Sequence, residues 1–115
     1  MVEVSIEDKK LVLKIKGIGK VFALKSEFTI PLTNVRGVTA DSGVLKMPKG
    51  LRAPGTAVPG IFYAGTFYND GDKVFWNVRH ADKAIVVELE DEDFKRLVVE
   101  VENPAEIVEL IEKNL

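Results

Sequence analysis

Ile61-Phe-Tyr-Ala-Gly-Thr-Phe-Tyr68, then Asn69-Asp-Gly71, then Asp72-Lys-Val-Phe-Trp-Asn-Val-Arg79 is the stretch that decides how this chain folds. Two runs rich in aromatic and β-branched residues flank a turn signal. Glycine there supplies the positive φ that short hairpin loops need. Tyr63 and Phe67 fall on one face of the first run, Phe62 and Tyr68 on the other. In the second run Val74, Trp76 and Val78 alternate with Lys73, Phe75, Asn77 and Arg79, the period of a strand. Aromatic pairs across such strands contribute roughly 0.2–1 kcal/mol each. Most of the aromatic residues, and the single Trp, lie in this hairpin.

The hairpin is fed by Pro48-Lys-Gly-Leu-Arg-Ala-Pro-Gly-Thr-Ala-Val-Pro-Gly60. This passage is dense in proline and glycine and has little periodicity. Long aperiodic passages in compact domains tend to be functional or disordered. Its small apolar residues, Thr56 and the single Arg52 are too specific for a flexible linker. An ordered loop lying across the sheet is expected.

Working outward, Val2, Val4 and Ile6 alternate with Glu3, Ser5 and Glu7, and Leu11, Leu13 and Ile15 alternate with lysines and Val12. These runs form a hairpin around the polar turn Glu7 to Lys10. Glu27 to Leu32 alternates again, with Pro31 placing it at an edge, and Val35 to Ala40 reads as a further strand leaving through Asp41-Ser42-Gly43. Lys20 to Lys25 is expected as a short helical turn. The Gly17-Ile-Gly19 before it lacks the third glycine, the preceding buried strand and the helix of a dinucleotide loop.

After a turn at His80 to Lys83, Ile85, Val87 and Leu89 face a core. Glu90 to Asp93 is an acidic turn, and Leu97, Val99 and Val101 form the last strand with Glu100 and Glu102 outside. The C-terminal helix is plainest. Asn103 is a good N-cap, Pro104 suits the first helical position, and Glu106 follows three residues after the cap. Ile107, Val108, Leu110, Ile111 and Leu115 form one apolar stripe. A helix of about a dozen residues is marginal alone, so packing onto the strands must hold it.

Length and composition set the outer bounds. At 115 residues, 46% of them hydrophobic, residues 1–115 make one domain with one core. The absence of cysteine excludes disulfides, thiolate metal sites and a thiol nucleophile, and suits a reducing, cytoplasmic setting. The start, Met-Val-Glu-Val-Ser-Ile, has no basic region or apolar run of signal length, and no stretch approaches the roughly 20 apolar residues of a membrane span. Net charge is -2 but polarised. Met1 to Val87 holds 13 Lys and Arg against 8 Asp and Glu, a net of +5. Glu88 to Leu115 holds 3 against 10, a net of -7. Such polarity steers a charged ligand or lets one copy's acidic end meet another's basic side; the plainer reading is a solvated surface.

Strands in hairpins followed by one helix, together with Arg52 to Gly60, Ala64 to Phe67, Phe75 to Arg79 and Ala84 to Leu89, resemble a group of bacterial pleckstrin-homology-like (PH-like) proteins. That group carries Arg-x-Pro-Gly-Thr-x-x-Pro-Gly, Ala-Gly-Thr-Phe, Phe-Trp-x-Val-Arg and Ala-Ile-Val-Val-Glu-Leu stretches. The resemblance implies a mainly β fold: an antiparallel β-sandwich or partly open barrel of seven to eight strands, capped by one C-terminal α-helix. It also implies self-association, seen in some members. Phosphoinositide-binding relatives of the fold use a Lys-x-Arg pattern in the first hairpin, and Glu7-Asp8-Lys9-Lys10 lacks it, so membrane binding of that kind is not expected. Fold alone does not settle function.

The chemistry-bearing residues are few. His80 is the only histidine, too few for a metal set, and reads first as an exposed loop residue. Ser5, Ser26 and Ser42 have no nucleophile elbow around them. Arg52 with Pro54, Gly55 and Thr56 offers a guanidinium and backbone N–H groups to an anion, or pins its own loop. Phe75 and Trp76 either flank a pocket or divide between core and edge. Glu90 to Asp93 lacks the glycine-centred spacing of a calcium loop. Basic residues are spread thinly and the pI is near 5.5, so nucleic acid is not an expected partner. The expectation is a non-enzymatic, cofactor-free module that binds protein, itself included. Its candidate contact residues are Arg52, Pro54, Gly55, Thr56, Trp76, Arg79 and His80. The alternative is a small anion or anionic headgroup held by Arg52 and Arg79.

Overall fold

The computed structural model describes residues 1–16, 27–43, 51–58, 62–69 and 71–115. They form a mainly β sandwich of two sheets with one C-terminal helix. Strands β1 (Val2–Glu7), β2 (Lys10–Ile15) and β3 (Glu27–Pro31) make a three-stranded antiparallel sheet in that order. Strands β4 (Val35–Ala40), β5 (Leu51–Val58), β6 (Phe62–Asn69), β7 (Asp72–Val78), β8 (Ala84–Leu89) and β9 (Arg96–Glu100) make a six-stranded sheet. Its order is β4-β8-β9-β7-β6-β5, and helix α1 spans Pro104–Glu112. The expected helical turn at Lys20 to Lys25 lies outside the described residues.

The small sheet follows the period-two pattern except at Val12, which is buried although its spacing sets it on the face of the lysines. Val2, Leu11, Leu13, Ile15, Phe28 and Ile30 are buried, while Glu3, Glu7, Lys10, Lys14, Glu27 and Thr29 are exposed. Glu7 pairs with Lys10, so the connecting loop is the two residues Asp8 and Lys9. Both hold positive φ, at 50° and 62°, which matches the right-handed twist of the strands; aspartate tolerates that region, as asparagine and glycine do, but Lys9 is strained there. Pro31 closes β3 at an edge, and a single 3₁₀ turn (Leu32–Asn34) carries the chain into the second sheet.

In the large sheet the hairpin forms in the register its turn dictates. Asn69 pairs with Asp72, leaving a two-residue loop in which Gly71 takes φ 84°. The passage before it departs from expectation. Leu51–Val58 is not a loop across the sheet but a strand, antiparallel to β6, with Leu51 opposite Tyr68 and Val58 opposite Phe62. The register shifts between Arg52 and Gly55, so Pro54 sits at an irregularity where no ladder donor is needed. With it the described residues hold nine strands, within the mainly β sandwich and C-terminal helix expected from the sequence. Pro48 to Gly50, Pro59 and Gly60 lie outside the described residues.

The last strand takes a place the pattern does not announce. β9 inserts between β8 and β7, antiparallel to β8 and parallel to β7, so the sheet is mixed rather than wholly antiparallel. The parallel pairing runs from Val74 opposite Arg96 to Asn77 opposite Val99. It is extended at its start by the Lys95 N–H, which donates to the Lys73 carbonyl at 2.7 Å.

Central placement buries β7, β8 and β9 on both faces. One cluster fills the space between the sheets and includes Leu13, Phe28, Phe75, Val87, Leu97, Val99 and Ile111. A second cluster contains Phe67, Val74, Trp76, Val78, Ala84, Val86 and Val98, with Tyr63 and Ala81 packed against it. Strand alternation assigns it to the opposite face of the large sheet. Each cluster holds an aromatic triad. Phe28, Phe75 and Phe94 meet with centroids 4.7 to 6.1 Å apart, and Tyr63, Phe67 and Trp76 with centroids 5.9 to 6.4 Å apart. Phe75 and Trp76 are therefore both core residues, one per face. Strands wet on one side would leave Val86, Val98 and Glu100 exposed, but all three are buried. Glu100, expected outside, is 4% exposed.

Helix α1 begins as its sequence dictates. The Asn103 side chain accepts from the Glu106 N–H at 3.3 Å, with Pro104 in the first turn. It packs chiefly against β4 and also against β8, with Ile111 fully buried and Ile107 and Val108 partly so. Leu115, placed in the apolar stripe by its spacing, lies beyond the end of the helix at Glu112 and is 53% exposed. The acidic turn at Glu90 to Asp93 is tethered rather than free. Asn34 Nδ2 donates to Glu92 at 2.6 Å, and Lys73 Nζ bonds Asp93 at 2.6 Å while standing 4.7 Å from the Phe94 ring centre. The Asp93 bond raises the Lys73 ammonium above its ordinary range.

Candidate functional site

The candidate residues separate into two places. The first is the corner where β7 ends. The parallel ladder stops at Asn77 and Val99, and the next residue of β9 with its side chain on the Trp76 face is Glu100. One of its carboxylate oxygens accepts the N–H groups of both Arg79 and His80 at 2.7 Å, and the other lies 3.2 Å from His80 Nδ1. The carboxylate thus replaces the main-chain acceptors that β9 no longer supplies. Burial pushes the Glu100 carboxyl up, but the backbone N–H groups of His80 and Arg79 and the His80 ring outweigh it and hold it below its ordinary value. The His80 side chain is 60% exposed. A single 3₁₀ turn (Ala81–Lys83) follows, and the Val101 N–H donates to the Lys83 carbonyl at 2.9 Å, closing the corner.

The second place is the outer part of the large sheet, where β5 carries Arg52, Pro54, Gly55 and Thr56. Gly55 stands opposite Gly65, and Gly65 opposite Trp76, so two glycines precede the indole in one cross-strand row. Gly65 has φ 129°, a conformation that favours glycine. Arg52 stands opposite Phe67, and Phe67 opposite Val74. Arg79 is five residues further along β7 than Val74. At about 3.3 Å per residue that is about 16 Å along the strands, plus two strand spacings of about 4.8 Å across them. The register therefore joins Arg79 to His80, and Gly55 to the Trp76 row, but sets Arg52 and Arg79 toward opposite ends of the hairpin.

The sheet ends differ in character. At the β4 end of the large sheet, α1 packs alongside. In the small sheet the end strands carry charge or proline at exposed positions: Glu3 and Glu7 on β1, Glu27 and Pro31 on β3. Such residues discourage pairing with another chain. β5 has one charged residue in eight, Arg52, and no strand pairs with its outer side among the described residues. Its regular run, Gly55–Val58, has no proline.

Among the described residues no group of three or more His, Asp or Glu is placed to hold a metal ion, and no helix is long and apolar enough to cross a membrane. No family model, curated protein or solved structure matches the chain. Sequence reasoning missed Glu100, because simple alternation sets it outside. The signal was the run Leu97-Val-Val-Glu-Val101, whose Val98 is as apolar as its neighbours and marks a strand covered on both faces.

Proposed function

We propose that this chain is a non-enzymatic, PH-like binding module that works through protein–protein contacts, its own copies included, made along the outer edge of β5. The single observation that carries this reading is the position of β5. It is the end strand of a six-stranded sheet, nearly uncharged, and unpaired on its outer side among the described residues. A strand edge offers N–H and C=O groups in fixed register, and an added strand satisfies them without rearranging the sheet. Two copies joined β5 to β5 form an isologous, closed pair.

The register gives less support to a small anion held jointly by Arg52 and Arg79. Their strand positions lie toward opposite ends of the hairpin rather than side by side.

Adjacent proline substitutions test the reading. In an antiparallel pair, successive N–H groups point alternately inward and outward. Of Thr56→Pro and Ala57→Pro, one removes an outward donor and spares β6, while the other breaks the β5–β6 ladder. The reading predicts a self-associating wild type, measured by light scattering, and one variant that folds with an unchanged hairpin yet stays monomeric. A strictly monomeric wild type up to high concentration, at low and moderate salt, overturns self-association.

A further inference from the structure

Helix α1, packed at the β4 end of the large sheet and so far from β5, is flanked by two open grooves. One, of about 450 Å³, has Val4, Val101 and Ile107 on its floor and Glu102 and Glu106 at its rim. The other, of about 530 Å³, lies over Ala40, Ala105 and Val108 and is edged by Glu109, Glu112 and Lys113. At 100° per residue, Glu106 and Ile107 fall on one flank of the buried Ile111, and Ala105, Val108 and Glu112 on the other. The grooves therefore share the exposed ridge of one helix.

The charge of that ridge is mostly negative: Lys113, at the helix C-cap and on the edge of the second groove, is its one cation among the described residues against four carboxylates. Glu102, Glu106, Glu109 and Glu112 are exposed, and none makes an ion pair among the described residues. The nearby Lys16 is already 3.4 Å from Glu3. Glu106, Glu109 and Glu112 follow one another at three-residue spacing, where like charges repel. Glu112 in the last turn of α1 opposes the helix dipole, while Lys113 at the C-cap favours it. The repulsion among the glutamates is relieved by further cations laid along the ridge.

We propose that the α1 surface docks a basic amphipathic segment of another protein, with its apolar side chains in the two grooves and its Lys or Arg residues over the carboxylates. Anionic lipid surfaces and nucleic acids carry the wrong sign for this ridge. The proposal does not depend on the β5 edge, which is at the far end of the same sheet.

The test titrates the full, isotope-labelled chain with two synthetic peptides of equal charge. One places lysines and leucines at helical spacing, and the other replaces each leucine with glycine. The leucine peptide should bind at least about tenfold more tightly, shifting the amides of Val4, Val101, Ala105 and Val108. Glu106→Gln together with Glu109→Gln, both at exposed positions, should weaken it about tenfold and flatten its salt dependence. Equal affinity for the two peptides, no effect of the double substitution, no binding, or shifts confined to β5 would each overturn the proposal.

Discussion

Phe75 and Trp76 are consecutive in the chain and buried on opposite faces of one sheet, at 0% and 2% exposure, each inside its own aromatic triad. β7 can do this because β9 lies beside it and both faces are covered. Phe75→Ala and Trp76→Ala should each lower the unfolding free energy by about 3–5 kcal/mol, read from equilibrium urea denaturation. A loss below about 1 kcal/mol for Trp76→Ala would mean that its face is wet. As the only Trp, its fluorescence gives a second reading: buried emission, little quenched by iodide until the chain unfolds.

Glu100 joins two strand ends through one carboxylate. Its folded form ionises below the ordinary value of 4.5, so its stabilisation is present above that value and is lost as pH falls through the lower folded value. Denaturation followed from pH 7 to pH 3 should show acid weakening that Glu100→Gln reduces. At pH 7, Glu100→Ala should cost about 2–4 kcal/mol, because the Arg79 and His80 N–H groups lose their acceptor. An unchanged acid profile in Glu100→Gln would assign the pH dependence to other carboxylates.

The Asp8–Lys9 turn holds a lysine at φ 62°. Glycine adopts that conformation without strain, so Lys9→Gly should raise stability by about 0.5–1 kcal/mol, measured as a higher urea midpoint. A loss of stability would show that the Lys9 side chain contributes more than its backbone costs.

Asn103 accepts the Glu106 N–H at the start of α1. Asn103→Ala should destabilise by about 1 kcal/mol, with Asn103→Ser close to neutral. Equal losses in both variants would remove the cap from the account.

Strands whose side chains alternate between core and water were legible from spacing alone, as in β1, β2 and β3, and so was the capped start of α1. The place of the hairpin turn was legible from Gly71, since few residues other than glycine fit its φ, although Asn69, read as part of the turn, pairs with Asp72 within the ladder. Three things were not legible, each for a physical reason. Pro54 and Gly55 disguised β5, because a strand that bends at an irregularity tolerates residues a regular strand excludes. The central position of β9 depends on pairings between strands distant in sequence, which no local period encodes. Glu100 read as surface because a carboxylate is seldom buried, and only the N–H groups arriving from β7 make its burial favourable. Among the candidate contact residues, spacing singled out Trp76 but not its full burial, and the anion alternative paired Arg52 with Arg79 by charge alone, where the register sets them toward opposite ends of the hairpin.

The most direct test of the proposed role is amide hydrogen exchange of β5, followed across protein concentration alongside light-scattering mass. Binding through this edge predicts that alternate amides within Gly55–Val58 exchange quickly in dilute solution and slow together as the mass rises to that of a dimer. Amides of β5 whose exchange does not change while the mass doubles would place the contact elsewhere and contradict the account.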